Sequence, residues 1–486
     1  MSERLSASML ENKIRIKELF GDSADFYTKD VTICGCRCCI CMFEGLSSIE
    51  RLWIMMLDIL SQPGTQTREP AELFDYLMRR TAIPLESRSC LCLDDVRAQL
   101  TAGTSVILID GVDQAVVLST QSMQFRSVSE PSGEGNVRGS REGFTDLLRI
   151  NLSLVRRLVR TGELVTEIMT VGGRTKTELA MLYHRSLVPR ELADSIRKKL
   201  RTAKLPFVFD TGYLAPFLQS NRFSFFQSVG YTERSDTAAA KICEGKIVIL
   251  VNGSPFAMIV PYFFTENFAS MDDYSEKAYF ASLVRLIKYA AFFLAVLLQG
   301  VFVSIATFTP ELLPEEMLYK VAAGEQATPL PLFMEALLVT FLLEIVREAG
   351  LRLPRPIGHS VSLVAALIVG DAAVNAGLLS TPVVIAAALS AICTFVVPSL
   401  YEPITVLRSL FVLAGGIFGP IGIAALLFVM VVNLCGMDSF GVPYLSPIEP
   451  PDRMMWDDGI LRANWRKLAK EDFAVSDLPC ETWGDD

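Results

Sequence analysis

Acidic and amide side chains stand inside apolar stretches of this sequence, where they could line a path for ions. Asp371 and Asn375 are four residues apart, so they share one face of a helix. A polar side chain inside a bilayer is unfavourable unless it meets water or a partner, which makes it a functional candidate. We therefore predict that Asp371 and Asn375 line or gate a pore. The alternative is that Asp371 is a helix-end residue at the membrane surface.

Two glutamates in the preceding apolar stretch are further candidates for an ion path. Glu335 and Glu344 are nine residues apart, so they point to nearly opposite helix faces and do not form one carboxylate pair. In one interpretation, Glu344 pairs with Arg347 and Glu348 pairs with Arg352 along the helix. In the other, the glutamates form an acidic ring that attracts cations in an oligomer.

Small residues beside the Asp371 face are spaced for close contact between helices. Ser362, Ala366 and Gly370 recur every four residues, a spacing that lets helix backbones approach each other in membranes. We predict that this stripe is a helix-packing surface, either within a bundle or between subunits.

Five of the eleven cysteines are concentrated in the short segment CGCRCCIC. On a strand, Cys34, Cys36 and Cys38 face one way, and Cys39 and Cys41 face the other. A zinc site needs converging thiolates at CxxC-type spacing. We therefore favour small buried hydrophobic residues over a metal site. So many cysteines also indicate a reducing compartment.

Catalytic signatures are absent from the sequence. His184 and His359 are the two histidines, and no GxSxG, Walker A or HExxH motif occurs. The net charge of −9, without any Lys/Arg-rich run, argues against a nucleic-acid partner. We predict a protein that is not an enzyme and that binds neither a cofactor nor a metal.

Polarity divides the 486-residue chain into a mixed N-terminal part and a strongly apolar C-terminal part. In the mixed part, two β-rich runs flank Asp110-Gly111, and two more flank Asn252-Gly253, pairs that suit tight hairpins. We infer two similar α/β subdomains; the alternative is that strand–turn–strand patterns are simply common. The predicted boundaries are 1–125 for the first subdomain, 126–140 for a Gly- and Ser-rich linker, and 141–282 for the second subdomain.

Other segments of the mixed part carry local patterns. The run 31–43 has strand character, and 48–62 is apolar at helical spacing. In the helical run that starts at residue 144, the apolar residues up to Leu158 share one face, and four arginines fall largely elsewhere: Arg149, Arg156, Arg157 and Arg160. The N-terminus lacks the uninterrupted apolar run of a secretory signal, so we expect the first domain to remain in the cytoplasm.

The apolar part is predicted as an all-α transmembrane bundle at 283–436, followed by a cytosolic tail at 437–486. The run 286–308 is long enough for a span. Arg285 and Lys288 at its start place the N-terminal domain inside. Together with further apolar runs, this gives four or five crossings; the last run contains Gly419-Pro420, which favours a kink or break. These further runs are 331–346, 357–380, 382–401 and 407–435.

Several ordered motifs resemble the A subunits of GerA-type spore germinant receptors, a family that includes the paralogous spore stage V AF proteins. The resemblance is closest between about residues 130 and 450. Four residues depart from the usual family pattern: Ser140, Ser235, Asn252 and His359. The motifs are VRGSREGF (137–144), TERSD (232–236), EGKIVILVNGSPFAMIVP (244–261), EIVREAGLRLP (344–354), IVGDAAVNAGLLS (368–380) and SFGVPYLSP (439–447).

The resemblance implies a multi-pass protein of the spore inner membrane with a cytoplasmic N-terminal domain. It implies a homo-oligomer that works with a transporter-like B-type subunit and a lipoprotein C-type subunit as a nutrient-gated ion channel. Nutrient recognition in that family lies mainly with the B-type subunit. Two alternatives stay open: an accessory scaffold for a spore-membrane channel, and a solute transporter, which would carry inverted repeats that we do not find.

Overall fold

A computed structural model gives the architecture of the chain. It describes residues 3–21, 23–50, 52–54, 69–79, 87–121, 130–131, 133–135, 139–219, 223–352, 368–451, 455–469 and 475.

The first subdomain is a five-stranded antiparallel sheet between helices. The strand order is β1-β2-β4-β5-β3, and the central strands β4 and β5 are fully buried because both sheet faces are covered. Helices α1 and α3 pack on one face, and α2 packs on the other. The elements are α1 (Met9–Phe20), β1 (Phe26–Ile33), β2 (Cys36–Phe43), α2 (Pro70–Arg79), β3 (Ser87–Cys90), α3 (Leu93–Thr101), β4 (Ser105–Ile109) and β5 (Ala115–Leu118).

The second subdomain repeats this topology. Its strand order, β6-β7-β9-β10-β8, matches that of the first sheet strand for strand. Helices α4 and α7 cover one face, and α5 covers the other. The elements are α4 (Leu148–Leu158), β6 (Leu164–Val171), β7 (Thr177–His184), α5 (Arg190–Thr202), α6 (Ala215–Leu218), β8 (Gly230–Thr232), α7 (Ser235–Cys243), β9 (Ile247–Val251) and β10 (Ala257–Val260).

The hydrogen bonds at the hairpin turns repeat as well. Asp110 Oδ1 accepts from the backbone N–H of Met9 at the start of α1, and Asn252 Oδ1 accepts from that of Leu148 at the start of α4. Gly111 and Gly253 both adopt positive φ, 91° and 95°, which the turns require. The predicted pair of similar α/β subdomains is therefore confirmed.

The segment predicted as one strand, 31–43, is instead parts of two. The chain turns at Cys34 and Gly35, both with positive φ, so β1 and β2 form a hairpin. The predicted alternation holds within β2: Cys36 and Cys38 face α2, whereas Cys39 and Cys41 face α1 and α3. Burial raises the pKa of the Cys38 thiol to about 12, so this side chain packs as a protonated, apolar group.

Other predicted segments have mixed outcomes. Most of the helix predicted at 48–62 lies outside the described residues. In the predicted linker, Glu134 accepts a hydrogen bond from Thr232 at 2.7 Å, and the Ser140 carbonyl accepts one from Arg234 at 2.8 Å. The described part of the linker thus lies against the second subdomain.

The C-terminal part is helical. The described residues form seven helices from 272 to 435 and one in the tail, which also contains a small hairpin, β11 (Asp438–Ser439) with β12 (Val442–Pro443). The helices are α8 (Asp272–Ser275), α9 (Ala278–Phe308), α10 (Glu315–Ala327), α11 (Leu332–Arg352), α12 (Ala373–Asn375), α13 (Thr381–Val396), α14 (Tyr401–Cys435) and, in the tail, α15 (Trp465–Leu468).

Two helices of the described residues are long and apolar enough to span a bilayer, Ala278–Phe308 and Pro398–Cys435. The pair α10 and α11, bent by 81°, makes a third if it is counted as one span. The four or five crossings remain a prediction, since part of the candidate run 357–380 lies outside the described residues.

Helix α14 is broken at Gly419, as the Gly-Pro pair predicts. Gly419 has φ 61° and ψ −146°, which is not a helical conformation. Glu402, near the start of α14, accepts a hydrogen bond from Gln227, and Asn433, near its end, accepts one from Ser224. Because both ends reach the same short segment of the second subdomain, α14 is a helical hairpin whose tip is at Gly419.

Candidate ion-path residues in the helical bundle

Helix α9 packs closely against the first arm of α14 in the bundle. A Cβ atom on Gly300 would lie 2.7 Å from the Phe411 carbonyl oxygen, and one on Gly415 would lie 2.5 Å from the Gly300 carbonyl oxygen. Only glycine permits such a close approach of α9 to the first arm of α14. The tip of the helical hairpin meets the far end of α9, where Gly419 packs against Phe308.

The Asp371–Asn375 pair lies on one helical face, as the spacing predicts. Asn375 Nδ2 donates a hydrogen bond to Asp371 Oδ1 at 2.8 Å. Both side chains are exposed in the isolated chain. A π-helical turn, Ile368–Ala372, precedes α12 at this point; such turns are frequent at functional sites. The pair therefore presents a carboxylate and an amide on the outside of a single subunit.

The predicted packing stripe is described only at Gly370. Ser362 and Ala366 lie outside the described residues. A Cβ atom on Gly370 would meet nothing within 4 Å, so in a single chain this position is open. The packing stripe therefore remains a prediction. At Gly370, the contact would have to come from a neighbouring subunit.

Glu335 lies inside the bundle, 1% exposed. Its Oε1 accepts a hydrogen bond from the backbone N–H of Ser380, the residue that caps the start of α13. A carboxylate at this place satisfies a helix-terminal donor and interacts favourably with the helix dipole. Glu335 thereby links α11 to the start of α13.

Glu344 lies on another part of α11, apart from Glu335. It accepts from Arg347 Nε at 2.9 Å and from the Tyr401 hydroxyl, and its Oε2 is 3.8 Å from Arg408 Nη2. The Glu344–Arg347 and Glu348–Arg352 ion pairs that the spacing predicts are both present. Glu344 thus joins α11 to the first arm of α14.

Two polar residues of the bundle were missed by the sequence reasoning. Arg408 is 3% exposed, and its Nε has no hydrogen-bond partner among the described residues. Gln299 of α9 donates to the Ala336 carbonyl at 2.9 Å and accepts from the Thr340 hydroxyl at 3.0 Å. The signal was present, because each is a polar residue inside a long apolar run.

Ion pairs fasten the bundle to the second subdomain and the tail. Arg285, fully buried at the base of α9, donates from Nε to Asp273 Oδ2 at 2.7 Å and lies 2.9 Å from Asp458. Burial disfavours ionisation of Glu266, but Lys241 and Lys246 outweigh it and lower its pKa to about 2. The Arg285 pairs hold α9 to α8 and to the tail, and the Glu266 cluster holds the segment before α8 to the second subdomain.

The described residues of the motif 137–144 lie beside the motif 232–236. The Phe144 N–H donates to the Glu233 carbonyl at 2.7 Å, and Arg234 donates to the Ser140 carbonyl at 2.8 Å. Both acceptors are backbone carbonyl oxygens, so the two hydrogen bonds do not depend on which side chains Ser140 and Glu233 carry. The contacts stabilise the second subdomain.

Comparison with known proteins identifies the family. The model of the Bacillus/Clostridium GerA spore germination protein family matches residues 14–473. The chain belongs to the GerA family. Spore germination protein KA of Bacillus subtilis (strain 168) is 31% identical over 478 residues, with 97% of this chain and 87% of the relative covered. The chain is also 35% identical to the uncharacterized membrane protein YfkQ of the same organism, covering 89% and 84% of the two chains.

A solved structure also aligns with the GerA-family chain. It is the N-terminal domain of the A subunit of the Bacillus megaterium spore germinant receptor GerK3, with a TM-score of 0.42 and 23% identity. The alignment covers 54% of this chain and 98% of that one. Family membership, together with two helices that are long and apolar enough to span a bilayer, makes this chain a membrane protein.

Proposed function

We propose that this chain is the membrane subunit of a spore germinant receptor and that copies of it assemble into a nutrient-gated ion channel. The observation that carries the proposal is the exposed Asp371–Asn375 pair on the helical bundle. A carboxylate and an amide facing lipid would be unfavourable, whereas facing a water-filled axis between subunits they are solvated. The proposed role is not catalytic.

In this arrangement, each subunit contributes one Asp371 and one Asn375 to a ring. A ring of carboxylates attracts cations, and amide oxygens can replace part of the hydration shell of an ion. Glu335 and Glu344 would join the path only after the bundle rearranges, because Glu335 is buried and Glu344 is paired with Arg347. Such a change between two packed states would gate the path.

The proposed assembly includes B-type and C-type receptor subunits and lies in the spore inner membrane. Arg285 and Lys288 at the start of α9 favour a cytoplasmic N-terminal domain by the positive-inside bias. The buried contacts at the base of α9 would carry a movement of α8 and of the tail to the bundle.

The test is ion flux through liposomes that contain the purified full chain, alone and with its B-type and C-type partners. Asp371→Ala and Asn375→Leu should each reduce cation flux, and Asp371→Ala should also reduce cation selectivity. Glu311→Ala is the matched control, because Glu311 is an exposed carboxylate in the loop after α9. Flux that is unchanged in both variants would overturn the pore assignment. An absence of flux in every assembly would favour the accessory scaffold.

A further inference from the structure

Three aromatic side chains of the second subdomain contact one another on its surface. The ring centroids of Phe207 and Phe209 are 5.5 Å apart, and those of Phe209 and Tyr213 are 6.4 Å apart. All three side chains of this aromatic cluster are exposed, and Phe209 is 61% exposed. The rings lie on the segment between α5 and α6, which belongs entirely to the described residues. An exposed apolar cluster of this kind is typical of a surface that contacts a membrane or another protein.

Basic side chains lie beside the aromatic cluster. Lys204 precedes it in the sequence, and the turn between β6 and β7 lies against it, because the Arg174 N–H donates to the Pro206 carbonyl at 2.8 Å. Arg174, Lys176 and Lys204 are all exposed. Within the described part of the chain, none of these three cations is paired with a carboxylate. Unpaired cations next to exposed aromatic rings make this surface complementary to an anionic partner.

The segment that carries the aromatic cluster lies close to the start of α14. The pKa of Tyr231 in β8 is raised to about 12, first by burial and then by the nearby carboxylates of Asp210 and Glu402. Asp210 belongs to the aromatic segment, and Glu402 lies in the first turn of α14. Both carboxylates are therefore near the same hydroxyl group, since the effect of a charge declines with distance. This places the aromatic segment beside the start of a helix that can span the bilayer.

Helix α5, which leads into the aromatic segment, lies close to the other end of α14. Lys199 Nζ of α5 is 4.4 Å from the ring centroid of Phe440. Phe440 lies at the tip of the hairpin formed by β11 and β12, just after the end of α14. The side of the second sheet that α5 covers is therefore flanked by both ends of α14, the two points at which this helical hairpin meets the membrane surface.

We propose that the aromatic cluster and its basic neighbours rest on the bilayer and bind anionic phospholipid headgroups. Aromatic side chains are enriched at the headgroup level of membranes, and anionic lipids attract lysine and arginine side chains near the surface. The position beside both ends of α14 favours a bilayer over a soluble partner, because the membrane surface lies at those two points. The contact would hold the second subdomain at a fixed height above the membrane. The proposal goes beyond the proposed channel and does not depend on it.

The experiment places a photoreactive benzophenone derivative of phenylalanine at Phe209 in the full chain. The protein is reconstituted into liposomes of phosphatidylcholine alone or of phosphatidylcholine mixed with phosphatidylglycerol. After irradiation, mass spectrometry should detect phospholipid adducts at this position, with a higher yield in the liposomes that contain phosphatidylglycerol. The control carries the same group at Leu158, an exposed residue of α4 on the opposite side of the sheet, and it should form no lipid adducts above background.

Charge reversal tests the basic part of the surface. Arg174→Glu should lower the adduct yield at Phe209 about fivefold or more, because each cation near an anionic surface strengthens the attraction by about that factor. Arg160→Glu is the matched control, since Arg160 is an exposed arginine that follows α4, and it should leave the yield unchanged. Both arginines are exposed, so neither substitution disturbs the interior of the subdomain.

Several results would overturn the proposal. These are an absence of lipid adducts at Phe209, equal yields at Phe209 and Leu158, and equal yields with and without phosphatidylglycerol. Equal losses in Arg174→Glu and Arg160→Glu would do the same. Cross-links from Phe209 to a protein chain in place of lipid would show that the surface binds a protein and not the bilayer. Ion flux plays no part in this measurement, so its outcome is separate from that of the channel test.

Discussion

Asp25 of the first subdomain and Arg156 of the second form a two-point ion pair that is almost completely buried. Arg156 Nε and Nη2 donate to the two carboxylate oxygens at 2.9 and 2.7 Å, and the side chains are 2% and 4% exposed. Arg156 also donates to the Leu164 carbonyl and lies 4.6 Å from the ring centroid of Phe43. The pair holds the two sheets together where their edges meet.

Removing one partner of this pair should destabilise the α/β part strongly. Arg156→Met leaves Asp25 as a buried, unpaired charge. Breaking a buried ion pair in this way lowers the free energy of unfolding by about 3–5 kcal/mol. The measurement is chemical unfolding of the full chain in detergent, followed by circular dichroism. Arg149→Ala is the control, since the Arg149–Glu44 pair is half exposed and should contribute no more than about 1 kcal/mol. Equal effects of the two variants would contradict this assignment.

The Glu266 cluster should make stability depend on acid pH. The pKa of Glu266 is lowered from 4.5 to about 2, so its ionised form stabilises the fold above pH 4.5. This contribution, on the order of 3 kcal/mol, declines as the pH falls from 4.5 through 2. Glu266→Gln should therefore be less stable at neutral pH, with a flatter decline in its unfolding midpoint between pH 5 and 2. If the unfolding midpoints of the wild type and of Glu266→Gln fell in parallel between pH 5 and 2, the Glu266 cluster would not be the source of the acid sensitivity.

The tip of the helical hairpin should tolerate only glycine. At φ 61° and ψ −146°, an L-residue is strained, and the added Cβ would lie 2.8 Å from the Phe308 ring. Gly419→Ala should lower the unfolding midpoint of the purified chain, with a loss of about 1–3 kcal/mol. Gly370→Ala, whose Cβ meets nothing within 4 Å, is the matched control and should be neutral in the isolated subunit.

Substitution of Glu335 should separate a structural role from a role in an ion path. Glu335→Ala leaves the Ser380 N–H without its acceptor, which should destabilise the chain by about 1–3 kcal/mol. Glu335→Gln retains an acceptor oxygen and should keep most of the stability. If Glu335 also attracts cations, the Gln variant loses cation selectivity in liposomes while remaining folded. If a folded Glu335→Gln protein kept its cation selectivity, Glu335 would have only the structural role of holding the start of α13.

Local chemistry explains which features could be predicted from sequence. The residue pairs Asp110-Gly111 and Asn252-Gly253 determine the conformation of their turns locally. Both hairpins, and with them the repeat, could therefore be predicted from sequence. The four-residue spacing of Asp371 and Asn375 depends only on helix geometry, and the structure joins them by a hydrogen bond. The Gly-Pro pair at 419–420 likewise predicts the break in α14 without reference to any distant residue.

Features that depend on distant partners were not predictable. The apolar pattern of 144–158 placed Arg156 away from the buried face, yet Arg156 is buried whereas Leu158 is 44% exposed. Its partner, Asp25, is 131 residues away in the sequence, so no local pattern could indicate the pair. The strand break at Cys34 and Gly35 was missed because the β-branched residues before the turn and the cysteines after it together resemble one β-rich run.

The tail and the α/β part meet directly, since the Val475 N–H donates to the Glu244 carbonyl at 2.9 Å and the Ser439 hydroxyl donates to the Ser228 carbonyl at 3.0 Å. We therefore expect the polypeptide to enter the bilayer at α9 and to leave it after α14 on one and the same side. This expectation requires an even number of passes, so it favours four over five. A reporter attached at either terminus would then sample one and the same compartment.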